Sequence, residues 1–315
     1  MKQTATKKKN VLGINNKKEK LFYALFIAVP VIHFLVFYVY INFNSILLAF
    51  QEHTLGDGGY EISFVKLKNF KAAWQNSFGA AGWIRIKNSL LMYLITLSVG
   101  TPLAILFSYY LFKKAFMGGF FKVILFMPQL LSGVVLGILF KQLTSTVYID
   151  VFGDATTTGL LTNPATKFGT VVVFNLLMGF GVNVLTYTST MAGVNESLLE
   201  SAQLDGANAW QELWYIVLPM IYPTVTTLLI VSFSHLFTEQ FHLYTLFGTA
   251  ANEVGSVGYF LYVQAQSSAL SASEISEVYL TYPILAAMGL IFTAIILPTT
   301  LIARRLLEKY GPSAD

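Results

Sequence analysis

Residues 21–48 read LFYALFIAVPVIHFLVFYVYINFNSILL, without one Asp, Glu, Lys or Arg. About 20 apolar residues in a helix cross the hydrocarbon core of a bilayer, so this run is long enough to span it with some tilt. Lipid offers no partner to a free backbone amide or carbonyl, and the run has no alternating pattern, so a helix is the form it can take. The whole chain repeats this character. With 55% hydrophobic residues, 11% charged residues and a mean hydropathy of +0.61, it has too little charge to solvate an ordinary globule. It contains no Cys, which removes disulfides and thiolate metal sites from consideration.

Outward from this run, five more stretches of similar character follow: Ser89–Phe112, Phe120–Phe140, Phe168–Thr190, Ile221–Phe237 and Pro283–Ile302. The expectation is an all-α membrane protein with six transmembrane helices. Six spans put both termini on one side. Lys2, Lys7, Lys8, Lys9, Lys17, Lys18 and Lys20 precede the first span, and Lys113, Lys114, Lys122, Arg304, Arg305 and Lys309 share its side. The positive-inside rule makes that side the cytoplasm. Residues 1–20 read as a disordered basic tail, 21–306 as one membrane domain, and 307–315 as a cytoplasmic C-terminal tail. The first run exceeds a cleavable signal region and is expected to stay as an anchor.

Lys66, Lys68, Lys71, Arg85 and Lys87 fall on the opposite side, against the rule. They are interleaved with Phe70, Trp74, Phe78 and Trp83, the composition of a segment lying among lipid headgroups. The connection from Thr238 to Tyr282 is acidic, with Glu239, Glu253, Glu274 and Glu277, and Val257–Ala265 in it is apolar enough for a short helix.

Between the fourth and fifth spans stands a polar insertion, Glu200–Pro219, reading ESAQLDGANAWQELWYIVLP. Leu198, Leu199, Ala202, Leu204, Leu213, Trp214, Ile216 and Val217 recur at near-helical spacing around Asp205-Gly206. That pattern is a turn between two short helices, with Gly206 free to take a positive φ and Pro219 expected to break the chain before the fifth span. By composition this is either a hairpin resting on the membrane surface or a docking element.

The residues carry a resemblance as well. Glu200, Ala202, Asp205, Gly206, Ala207, Ile216, Leu218 and Pro219 fall where permease subunits of ABC importers carry the pattern E-A-A-x3-G-x9-I-x-L-P, with Ser201 in place of the middle Ala. Phe126-Met-Pro128 with Ser132-Gly-Val-Val is similar to the FLP-x3-S-x-VV stretch of carbohydrate permeases. Phe64-Val-Lys-Leu-Lys-Asn69-Phe70 is similar to their F-x-G-L-x-N-F entry, with Lys66 where Gly is usual. Thr245-Leu-Phe-Gly-Thr-Ala-Ala departs from the T-G-G-G-P turn of related permeases. The chain thus resembles the maltose-type carbohydrate branch of the binding-protein-dependent ABC importer permeases, which implies the type I importer permease fold.

The resemblance makes residues 196–219 a coupling hairpin, with Glu200, Ser201, Ala202, Asp205, Gly206 and Ala207 meeting an ATPase. It implies a second homologous permease, a dimer of ATP-binding subunits and an extracytoplasmic solute-binding protein, all working by alternating access. No G-x4-G-K-[ST] loop occurs in the sequence, so no cofactor is expected on this chain; ATP and Mg belong to the partner ATPase. Membrane lipid surrounds it and no nucleic acid is implied. It is not expected to be an enzyme.

Polar residues within spans are the remaining candidates. Asn175, Gly179 and Asn183 share one face of the fourth span. Ser232, His235 and Glu239 form a second stripe in the fifth. Neutral amides and hydroxyls suit a sugar, and the resemblance sets these two helices along the sugar cavity. The alternatives are interhelical hydrogen bonding for Asn175 and Asn183, and close packing for Gly179 and Gly181. His235, Glu239 and His242 could instead share a metal, although a hydrogen bond between His235 and Glu239 is the simpler arrangement. His33 reads as a packed or interfacial histidine, and Pro298 as a kink. Rival functions are an importer of a polyol, a glycerol phosphate or a metal, a self-contained channel, or an intramembrane enzyme.

Overall fold

The computed structural model of this chain describes residues 17–56, 59–153, 158–270 and 275–312. Of the expected tails, 1–16 and 313–315 lie outside the described residues. Residues 17–20 are helical, and the last helix runs to Tyr310, so the boundary expected at 306 falls inside a helix.

The chain folds as α1 (Leu21–Leu48), a hairpin of β1 (Gln51–Gly56) and β2 (Gly59–Phe64), α2 (Lys68–Phe78), α3 (Ala80–Phe112), α4 (Gly118–Leu130) and α5 (Gly133–Phe152). It continues as α6 (Pro164–Met191), α7 (Glu196–Leu204), α8 (Ala209–Ser234), α9 (Leu243–Phe247), α10 (Val257–Leu270) and α11 (Ile275–Tyr310). Among the described residues, six helices are long and apolar enough to cross a membrane: α1, α3, α5, α6, α8 and the Tyr282–Tyr310 part of α11.

Three expectations need correction. The run Phe120–Phe140 is not one span. Leu131 and Ser132 are extended, which ends α4 and starts α5, and Pro128 has already removed one hydrogen bond from the last turn of α4. The span therefore shifts to Gly133–Phe152. Pro219 does not break the chain before the fifth span: α8 passes through a π turn at Leu213–Val217 and continues through the proline to Ser234. The second span starts at Ala80 rather than Ser89, because the charges that cut the apolar run do not interrupt the helix; the Arg85 guanidinium lies 3.7 Å over the Phe260 ring.

The β1–β2 hairpin, antiparallel with Gln51 opposite Phe64, is not legible among the helical signals of the sequence. Behind it Lys66 has φ +51°, a conformation that favours glycine, which is the physical reason for the usual Gly at this position of the motif. Asn69 of the same motif donates to the carbonyls of Ala49 (3.0 Å) and Gln51 (2.7 Å), fixing the end of α1 onto α2. The short helix expected at Val257–Ala265 is present within α10.

Burial follows the helix faces. One apolar cluster joins α3, α6, α7 and α8 around Ala104, Val184, Met191, Leu213 and Ile221. A second, around Val171, Phe174, Leu243 and Leu246, joins α6 to α9. A third packs α2 and α10 on α11 through Ala73, Val257 and Met288. By contrast, no residue from Leu21 to Leu48 is buried, and His33 only stacks on Phe37 at 4.8 Å. Gly181 lets α6 approach α4 directly, since a Cβ there would stand 1.9 Å from the Leu125 carbonyl oxygen.

Candidate functional site

The hairpin after α6 is built from local signals. Asn195 caps α7 by accepting from the Ser197 amide at 3.0 Å, and Asn208 caps α8 in a reciprocal pair with Gln211 at 2.9 Å each way. Between them the chain turns at Gly206, φ +83°, with Ala207 N–H donating to Ala202 O (2.9 Å) and Gly206 N–H to Gln203 O (3.1 Å). These two bonds are the Schellman ending of a helix. A Cβ on Gly206 would meet nothing within 4 Å, so the backbone conformation alone, and no packing within this chain, demands glycine.

The hairpin turns Leu199 and Ala202 inward and leaves Glu200, Ser201, Asp205 and Gly206 exposed, with Ala207 partly so. Leu204 is 88% exposed at its tip. An exposed apolar tip flanked in sequence by Glu200 and Asp205 suits contact with another protein.

Sequence reasoning missed the residue that holds this hairpin. Glu212, in the first turn of α8, is 2% exposed. Its Oε1 accepts from Lys113 Nζ (2.9 Å) and Tyr109 Oη (3.1 Å), and its Oε2 from Lys113 Nζ (3.0 Å) and Gln203 Nε2 (3.2 Å). The only signal was a carboxylate directly before the apolar run Leu213–Leu218. Lys113 lies ninety-nine positions away and could not be matched to it.

The intramembrane candidates separate into two groups. Asn183 and Ser232 line a cavity of about 220 Å³ with Tyr93, Thr96, Thr101 and Tyr187. A smaller one of about 100 Å³ continues from Tyr93, Thr96 and Ser232 to His235 and Glu239. The three shared residues make this one groove between α3, α6 and α8. Helix α8 ends at Ser234, so Ser232, His235 and Glu239 are not a single helical stripe; the turn after α8 brings them together instead.

Asn175 is apart. Its amide donates to Val171 O (2.9 Å) and Phe241 O (2.8 Å), which spends both hydrogens on α6 itself and on the loop after α8. Asn183 makes no hydrogen bond among the described residues, so its amide is available in the groove. Gly179 is exposed, whereas Gly181 serves packing.

The hydrogen bond expected between His235 and Glu239 is made by the backbone, Glu239 N–H donating to His235 O at 2.9 Å, and their side chains do not bond to each other among the described residues. Glu239 Oε1 accepts from the Phe241 amide at 3.2 Å. His242 sets its ring edge-on to Phe174 at 5.5 Å, and burial lowers its pKa while the Glu239 charge offsets part of that shift. No group of three His, Asp or Glu converges on a metal position among the described residues.

A family model described as the binding-protein-dependent transport system inner membrane component matches residues 81–311. The arabinooligosaccharides transport system permease protein AraP of Bacillus subtilis (strain 168) is 28% identical over 90% of this chain and 87% of its own length. The probable starch degradation products transport system permease protein AmyD of Thermoanaerobacterium thermosulfurigenes is 27% identical over 82% of this chain and 87% of its own. Among solved structures, a chain of a bacterial ABC transporter involved in the import of the acidic polysaccharide alginate superposes with a TM-score of 0.73 at 21% identity, over 94% of this chain and 97% of that one. The likeness spans the hairpin, the groove and five of the six spans, and the chain belongs to the family of binding-protein-dependent transport system inner membrane components.

Proposed function

We propose that this chain is one of two permease subunits of an ATP-driven importer for a carbohydrate, an oligosaccharide by the chemistry of its relatives, and that it works by alternating access. The observation that carries the reading is the hairpin: a capped, Schellman-turned element with an exposed apolar tip, in a sequence with no phosphate-binding loop. Energy has to arrive from another chain, and the hairpin is the element built to receive it. ATP and Mg are held by that partner.

The basic residues Lys113, Lys114 and Lys122 surround the hairpin, and Tyr222 of α8 donates to Leu307 O at the C-terminal end of α11 (3.0 Å). By the positive-inside rule this end faces the cytoplasm, where ATPase subunits dock. At the other end a solute-binding protein delivers the sugar. The groove between α3, α6 and α8 supplies Asn183, Ser232, Thr96 and Tyr93, neutral donors, acceptors and an aromatic face suited to a saccharide. Its volume is below that of ordinary ligand sites, as expected of half a cavity completed by a second, similar permease.

The test is co-purification of the chain with its ATPase, with hydrolysis and uptake measured in proteoliposomes. Replacing Gly206 by a bulky residue is expected to abolish association or coupling; unchanged assembly and uptake would overturn the coupling role. A ligand panel on the delivering binding protein tests the substrate. Tight binding of an oligosaccharide supports the reading, and tight binding of a metal, polyol or glycerol phosphate overturns it.

A further inference from the structure

The apolar cluster around Leu199, Leu213 and Leu111 would hold the hairpin against α3 without any charge. Yet a carboxylate is buried there, and its partners come from three places: Tyr109 in α3, Lys113 just beyond its end, and Gln203 in α7. Both oxygens of Glu212 carry two bonds each. A buried ion pair adds little net adhesion compared with well-packed apolar groups, but its directional bonds select one arrangement of the elements that supply them.

We propose that Glu212 is a positioning residue that fastens the hairpin and the start of α8 to the end of α3, so that both helices move as one body when the hairpin is displaced. The proposal rests on the coupling role given to the hairpin above. Chain continuity alone would carry a push at Glu200–Ala207 to α6 and α8. The Glu212 clamp adds α3, which supplies Tyr93 and Thr96 to the groove opposite Ser232 of α8. Two walls of the groove then respond to one displacement.

Two further observations define the extent of this body. Ser108 Oγ donates to Val184 O (2.9 Å) and Thr188 Oγ1 to Ser108 O (3.4 Å), tying α3 to α6 next to the clamp. Beyond Lys113 the chain becomes irregular. Lys114 and Met117 have φ of +51° and +58°, and the turn to α4 is held by Tyr110 Oη donating to Phe116 O (2.5 Å) and by the Ala115 amide donating to Tyr110 O (3.4 Å). Helix α4 joins this body through α6, where Leu125 meets Gly181 and Gln129 Nε2 donates to Met178 O (2.7 Å).

The experiment uses the complete importer in proteoliposomes. It reads ATPase co-purification, basal hydrolysis, the stimulation of hydrolysis by sugar-loaded binding protein, and uptake. E212Q and K113M are expected to retain the ATPase and its basal hydrolysis while stimulation and uptake fall about tenfold. The exchange K113E/E212K is expected to recover part of the loss. Because the chain has no Cys, K113C/E212C can be bridged with a short bifunctional thiol reagent, and the bridge is expected to restore stimulation lost in the unbridged protein.

Uptake at the unsubstituted level in both E212Q and the unbridged cysteine pair would overturn the proposal. So would a bridge that forms and leaves the pair inactive, since a rigid link would then be the wrong device. If K113M does not assemble, E212Q and the bridge decide the matter. An unsubstituted importer whose hydrolysis ignores the binding protein would instead overturn the coupling reading itself.

Discussion

The two ends of the bundle are held together by different chemistry. At the hairpin end, one buried carboxylate gathers Lys113, Tyr109 and Gln203. At the other end, neutral side chains reach to backbone carbonyls and amides of the irregular connections. Asn88 donates to Glu253 O (2.7 Å) and Gly255 O (3.0 Å), Ser89 accepts from the Val257 amide (3.1 Å), and Tyr259 bridges Gly248 O and the Ala251 amide. Neutral bonds of this kind satisfy orphaned backbone groups in a long loop. A buried charge does something else: it makes the relative position of regular elements expensive to change.

The largest effect should come from breaking the charged end asymmetrically. K113M leaves Glu212 buried without its counter-charge, which costs roughly 3 kcal/mol or more. E212Q leaves Lys113, 34% exposed, free to turn toward water, and should cost about 1 kcal/mol. Thermal unfolding of the purified protein in detergent checks this; equal losses would mean that the pair is not buried as described.

Next in size is the neutral end. N88A removes both bonds to the 253–255 carbonyls and should cost about 1–3 kcal/mol, with faster proteolysis confined to the connection before α10. Destabilisation spread over the hairpin end as well would show that the two ends are not independent.

G206A tests the turn rather than the clamp. At φ +83° an L residue costs about 1–2 kcal/mol, but nothing stands near the added methyl, so the purified chain should remain folded. Loss of ATPase association without loss of folding is the expected result.

The smallest effect on stability is expected in the groove. N183A removes an amide that has no partner among the described residues, so stability should hold while the KM for uptake rises about two- to tenfold. N175A should do the reverse, loosening the loop at Phe241 with little change in KM. If the two asparagines exchange these effects, the solute is bound further along α6, at Asn175 rather than Asn183.

Much of this architecture is legible in short stretches of the chain. The caps Asn195 and Asn208 and the turn at Gly206 are set by residues within a few positions of one another, and the six spans by windows of apolar composition. Where expectation and fold part, the cause is shared. A window of composition does not register a helix break between two apolar helices, as at Leu131–Ser132, nor a helix that continues past Pro219 through a π turn. Helical spacing puts Asn175 and Asn183 on one face, but it cannot say which amide a neighbouring loop will consume.

The amino-acid sequence by itself determined the membrane class, the order of the spans and the shape of the hairpin, because lipid partition and turn chemistry act over short stretches of chain. Only the tertiary structure decided that Glu212 meets Lys113 across ninety-nine residues, and that Asn183 rather than Asn175 is without a hydrogen bond among the described residues. Those outcomes depend on which helix faces pack together. Packing is settled by the whole set of contacts at once, and a single position carries no mark of its distant partner.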